Sequence, residues 1–124
     1  MGYTEWTFDK KYAIYIQLYQ KIKYSILSGQ LALGESIPSI RQMAATLHIN
    51  ISTVAKAYQL IKHDGLLVTT GDRKNSVTFD SAFVQEKRTQ EAEKLCCNYI
   101  CVMGLMGFSK EETLTFLQKY RKCE

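Results

Sequence analysis

Asn50-Ile51-Ser52-Thr53, followed by Lys56, is the stretch of this sequence best equipped to meet an external partner. A carboxamide, two hydroxyls and an ammonium offer hydrogen-bond donors, acceptors and a positive charge, the groups that suit a polar, anionic partner. Upstream, Ser39 and Arg41 stand near the start of another apolar-periodic segment. An arginine placed there can fork onto a phosphate or a guanine edge. Downstream, Arg73 and Lys74 sit in the polar run 70–75 between two β-prone stretches. Short polar side chains and cations at these places suit the phosphates and base edges of double-stranded DNA.

Plainer roles stand beside these. Ser39 and Asn50 are also good helix N-caps, and Ser52 and Thr53 favour helix initiation. Arg73 and Lys74 would also keep a hairpin tip solvated. Tyr19 and Tyr58 read as core aromatics, and His48 and His63 are too isolated to act as ligands or bases.

Enzymatic chemistry finds little support. The sequence holds no Cys–His or Ser–His constellation, no paired carboxylates in a glycine-framed site and no phosphate-cradling loop. No cofactor is expected. The cysteines are Cys96, Cys97, Cys101 and Cys123. Cys97 and Cys101 share a helical face, yet no histidine lies nearby to complete a zinc set. The expectation is that at least two of the four are small buried hydrophobes, with a thiol-responsive regulator as the alternative.

These residues need elements to position them. The first dozen residues read as an extended arm. A helix from about Tyr15 to Ser28 carries Tyr15, Tyr19, Ile22 and Ile26 at helical spacing, with Gly29 after it. Pro38 and Ser39 open a second helix, amphipathic through Ile40, Met43, Ala44 and Leu47. The turn His48-Ile49-Asn50 leads to a third, about Ile51 to His63, with Val54, Ala57, Tyr58 and Ile61 on its buried face. Leu66–Thr69 and Ser76–Phe79 then form a hairpin.

From about Ser81 a long helix runs to Met103, with Phe83, Ala92, Leu95, Cys96, Tyr99, Ile100 and Met103 available for burial. Residues 103–108 read as a break. Ser109 with Glu112 makes a capping box for a last helix, about Lys110 to Arg121. The expected fold is mainly α with a small β-hairpin: an N-terminal winged helix-turn-helix over 1–79, then a two-helix dimerisation segment over 80–124. Two helices of that size cannot enclose a core alone; they must pack on the first domain or on a second copy, and dimerisation is the economical answer.

Charge agrees with this division. Residues 1–79 hold nine Lys and Arg against five Asp and Glu, whereas 80–124 hold seven of each. The surplus therefore lies with the helix-turn-helix, where phosphate contacts want it. No apolar run approaches the roughly 20 residues of a membrane span. The N-terminus, with Glu5, Trp6 and Asp9, lacks a signal-peptide layout, so a cytoplasmic protein without a membrane partner is expected.

Residues 14–79 resemble the DNA-binding domain of GntR-type bacterial transcriptional regulators. The resemblance is carried by Ile14-Tyr15, Gln17, Ile22, Ile26, Gly29, Leu31, Gly34, Pro38-Ser39-Ile40-Arg41, Ala44, Thr53-Val54, Ala57-Tyr58 and Gly65-Leu66. The short tail, with Gly107-Phe108-Ser109 before its last helix, is similar to the YtrA subfamily. That subfamily carries a small dimerisation segment in place of a full effector domain. Three positions depart from the family pattern. His48 replaces a common turn glycine, Ile51 and Ala55 replace common cations, and 72–75 replaces a Gly-x-Gly wing turn.

The resemblance implies a homodimeric regulator, most often a repressor, on a pseudo-palindromic operator. Recognition helices would enter major grooves about 34 Å apart. ABC-transporter genes are the implied targets, and any small-molecule effector is unknown. DNA contacts are expected from Ser39, Arg41, Asn50, Ser52, Thr53, Lys56, Arg73 and Lys74. The other alternative is a protein-interaction module with weakened DNA binding, suggested by Ile51, Ala55 and the altered wing.

Overall fold

The computed structural model describes residues 2–120. After a short 3-10 turn at Tyr3–Glu5 come α1 (Ile14–Leu27), α2 (Ile40–Leu47), α3 (Ile51–His63), β1 (Leu67–Thr69), β2 (Asn75–Val77), α4 (Ser81–Leu105) and α5 (Lys110–Lys119). The chain forms two compact units, Met1–Gln85 and Glu86–Glu124. The expected end of the last helix at Arg121, and Cys123, lie outside the described residues.

Helix α1 is rich in β-branched and aromatic residues, which are middling helix formers. Burial holds it instead: Leu18, Ile22 and Ile26 are sealed in the core. Each such side chain contributes about 1.5–3 kcal/mol. The face that spacing predicts, Tyr15, Tyr19, Ile22 and Ile26, lies slightly off this line. Tyr19 packs against the edge of the core, Tyr15 is half-buried, and Leu18 takes the central place. Tyr19 donates its hydroxyl to Asp64 Oδ2 beyond the end of α3, while Lys23 Nζ stands 4.7 Å over its ring. Burial, and then the Asp64 carboxylate, raise the Tyr19 phenol above its ordinary value.

The first dozen residues are more than an arm. Tyr3, Trp6 and Phe8 pack against the core, Tyr3 and Trp6 edge to face at 5.1 Å. Gln17 ties this segment to α1, donating to Asp9 O at 2.7 Å and accepting from Asp9 N at 2.8 Å.

Helix α2 opens on a capping box. Ser39 Oγ accepts from Gln42 N, and Gln42 Oε1 accepts from Ser39 N. It closes on His48, which adopts the left-handed conformation at φ 56°, ψ 46°. Histidine enters that region more readily than most residues, so the turn forms without glycine. Helix α3 then buries Val54, Ala57, Tyr58 and Ile61, and the Tyr58 hydroxyl donates to Pro38 O at 2.7 Å. Burial pushes the Tyr58 phenol well above its ordinary value.

The strands pair antiparallel, Leu67 with Val77, Val68 with Ser76 and Thr69 with Asn75. The segment between α1 and α2 adds to the other edge of β2: Gly34 N donates to Val77 O, Val77 N to Glu35 O and Ile37 N to Asn75 O. The wing is thereby anchored to the entrance of α2. β2 ends at Val77, short of the expected Phe79, because the chain turns there into α4: Asp80 N donates to Thr78 Oγ1 and Phe83 N to Asp80 Oδ1.

In the second unit α4 continues through Gly104 to Leu105, so the break begins at Met106, later than expected. Gly107 turns the chain at φ 91°, and Ser109 with Glu112 caps α5 as the spacing predicts. Met103 and Thr113 are buried, and Phe108 meets Phe116 edge to face at 5.2 Å. The burial expected along α4 is largely absent in the single chain. Ala92, Leu95 and Ile100 are exposed, and so are Cys96, Cys97 and Cys101. Helical spacing marks a face that could be buried, and it does not by itself supply the element that buries it.

Candidate nucleic-acid interface

Helix α3 is held by its apolar face, which leaves Ser52 and Lys56 exposed and Thr53 half-buried. Asn50 occupies the N-cap position with extended backbone, and its carbonyl accepts from Thr53 N and Val54 N. Its carboxamide makes no capping bond, contrary to the expected role. That exposed side chain is left for other partners, and the first-turn N–H groups of α3 lack a side-chain acceptor.

Asn50 and Thr53 line one groove of about 400 Å3 together with 13–15 and 48–49. The α1 start thus lies beside the recognition-helix start. Lys56 joins this side of the domain, its ammonium 5.4 Å from the centre of the Tyr15 ring. A cation over a tyrosine face is held electrostatically, by about 0.5–1 kcal/mol at exposed sites.

A second groove, of about 540 Å3, brings Ser39 and Gln42 of α2 together with Arg73, Lys74 and Asn75 of the wing. Ser39 Oγ accepts in the cap, which leaves its hydroxyl proton available for donation. Arg41 and Ser52 are exposed and line neither groove.

The wing tip is ordered by one carboxylate. Asp72 Oδ1 accepts from Thr70 Oγ1 and from Lys74 N, and Thr70 N donates to Lys74 O at 2.9 Å. Those bonds, the Thr70 hydroxyl first, lower the Asp72 carboxyl below its ordinary value. Arg73 takes the left-handed position at φ 64°, supplying a cation where glycine would be the easier fit.

Sequence spacing missed the partners supplied by other elements: Tyr15 and His48 in one groove, Gln42 and Asn75 in the other. The Ser39-x-x-Gln42 capping pattern was readable for Gln42. Nothing local foretells that Tyr15 reaches Lys56. Among the described residues no group of three His, Cys, Asp or Glu is arranged to hold a metal ion. No helix among them is long and apolar enough to cross a membrane.

A capped first helix, a left-handed turn, a second helix opening on polar side chains and a strand pair anchored beside them define a winged helix-turn-helix, a DNA-binding module. Residues 14–73 match the family model for bacterial regulatory proteins, gntR family. Residues 14–73 are thus a GntR-family domain, and YtrA-like GntR regulators are among the chain's relatives.

It is 31% identical over 84 residues to the HTH-type transcriptional repressor YtrA of Bacillus subtilis (strain 168), covering 66% of this chain and 65% of that protein. A GntR family transcriptional regulator from Listeria monocytogenes superposes with TM-score 0.84 at 25% identity, covering 92% of this chain and all of the other. YtrA from Sulfolobus acidocaldarius, a GntR-family transcription factor, gives TM-score 0.57 at 28% identity over 90% of each chain. These relatives are transcriptional regulators, a non-enzymatic class, and DNA-binding control of transcription is the activity the domain carries.

Proposed function

We propose that this protein is a cytoplasmic homodimeric repressor that binds a pseudo-palindromic operator through Asn50, Ser52, Thr53 and Lys56 of α3. Arg41 adds a phosphate or guanine contact. Ser39, Arg73 and Lys74 contribute from the groove between α2 and the wing. The observation that carries this reading is the exposed polar start of α3, with an Asn50 carboxamide unspent on capping. Repression would follow from occupancy of a promoter, and the resemblance to YtrA points to ABC-transporter genes as targets. The division at 79/80 assigns DNA to the first part and association to the second, where Leu105 and Met106 are 86% and 62% exposed.

The test is binding of the purified full chain to DNA from its own upstream region, against scrambled competitor at two salt concentrations. Competitor-resistant binding, two chains per site, is the expected result. Binding that is equally weak for every sequence and vanishes with salt would reduce the activity to phosphate attraction. It would also favour a protein-interaction module.

The exposure of Cys96, Cys97 and Cys101 favours a second reading, in which operator affinity responds to thiol oxidation. Affinity falling with peroxide and recovering with dithiothreitol would support it, and indifference to both would end it.

A further inference from the structure

Ile51 is the first residue of α3 and is 51% exposed. It takes no part in the core, to which α3 contributes Val54, Ala57, Tyr58 and Ile61. A β-branched residue also gains nothing as a helix former. Lone exposed apolar side chains are common on surfaces, but this one is placed between exposed Asn50 and Ser52, with exposed Lys56 further along the same helix. Ala55, four residues on, continues the apolar lane on the same side of the helix. The neighbouring amide, hydroxyl and ammonium groups are furnished for a polar, anionic partner, and the excess positive charge of residues 1–79 favours the same one.

Within the DNA-binding reading proposed above, on which this rests, we infer that Ile51 is a specificity-determining residue that packs on the C5-methyl of a thymine in the major groove. The chemistry is selective in both directions. A branched alkyl group has no hydrogen bond to offer, so against a cytosine amine or a guanine oxygen it would strip water and return nothing. Against thymine it meets the single apolar feature of the major-groove edge. The two apolar residues at family cation positions thus change which base is read, rather than simply weakening contact.

The experiment begins with the full chain selecting sites from a random duplex library. The best duplex is remade with uracil at each thymine in turn, which removes the methyl and leaves every base-pairing group in place. One thymine per half-site should respond, with affinity falling about fourfold, the value of roughly one buried methyl. Ile51→Ala should lose that response, while Ile51→Val should keep it, with thermal melts showing both variants folded. No uracil-sensitive thymine, or sensitivity unchanged in Ile51→Ala, would overturn the assignment. If no sequence is enriched, the operator reading itself fails and takes this inference with it.

Discussion

The Lys56 ammonium stands 5.4 Å from the centre of the Tyr15 ring, so α1 holds the cation in the first turns of the recognition helix. Lysine loses considerable rotamer freedom when fixed on a phosphate, and a ring beneath it removes part of that loss beforehand. Tyr15→Leu should therefore weaken operator binding about two- to fivefold, in line with about 0.5–1 kcal/mol for an exposed cation–π pair. Tyr15→Phe should bind like the parent, because the ring face remains. Lys56→Ala should lower the salt dependence by about one phosphate contact per half-site and make the Tyr15 substitutions silent. Fluorescence anisotropy titrations over a salt series measure all of these.

Tyr58 links the recognition helix to the first helix of the pair, because its hydroxyl donates to Pro38 O just before the Ser39 cap. Tyr58→Phe keeps the ring in the core and removes only this bond. Stability should fall by about 1–2 kcal/mol, the loss of a hydrogen bond that leaves a sheltered carbonyl unmet. Chemical denaturation with an unchanged slope would establish it. No change in midpoint would mean that water replaces the hydroxyl at no cost.

Sequence reading succeeded wherever the determinants are local. Helix α3 runs Ile51–His63 as its spacing predicts, since the apolar repeat and the left-handed Gly65 act within a turn or two of each other, even though the expected Asn50 side-chain cap does not form. The Ser109 and Glu112 capping box is likewise short-range. What escaped was fixed by distant elements. Tyr15, Tyr19 and Leu18 all satisfy helical spacing, and only packing against α3 chooses Leu18 for the centre. Tyr3, Trp6 and Phe8 form no periodic pattern, so their burial depends on a core built elsewhere. Leu95, Cys96 and Ile100 fit a helical stripe, yet all three are exposed among the described residues. The interface divides similarly. Its candidate polar residues could be proposed from type and position, whereas the two grooves arise from pairings of α1 with α3 and of α2 with the wing.

The wing tip carries a defined pH response. Asp72 titrates below its ordinary value of 3.8 because Thr70 and the Lys74 amide donate to the ionised form. A carboxyl lowered by folding contributes fully above its unfolded value, and loses that contribution as pH falls through the lowered one. Resonances of the Thr70 and Lys74 amides should therefore hold steady from neutrality to about pH 4 and shift only below it. Asp72→Asn should flatten this transition. A midpoint at or above 3.8 would contradict the bonded tip.

Arg73 places two demands in opposition at that tip. Its φ of 64° is costly for a residue with a Cβ, by about 1–2 kcal/mol, and free for glycine. Arg73→Gly should raise the melting temperature while removing one wing cation, so DNA affinity and its salt dependence should both fall. Arg73→Ala separates the two effects, since it keeps the strain and loses the charge. If both variants bind like the parent, the wing stays clear of the phosphates.

Association of the second unit can be tested without damaging the fold, because Leu105 is 86% exposed in the single chain. Replacing an exposed leucine by glutamate costs little in an isolated helix, and the substitution lies at the last residue of α4. If two copies cover this apolar end, burying a charge there is severe, and one substitution acts twice through the symmetry of a dimer. Leu105→Glu should therefore sediment as a monomer with undiminished helicity. Operator affinity should fall by about two orders of magnitude or more as half-sites bind independently, while binding to an isolated half-site stays the same. A variant that remains dimeric would place the association elsewhere in the chain. A parent protein that is monomeric at every concentration would remove the paired-half-site geometry altogether.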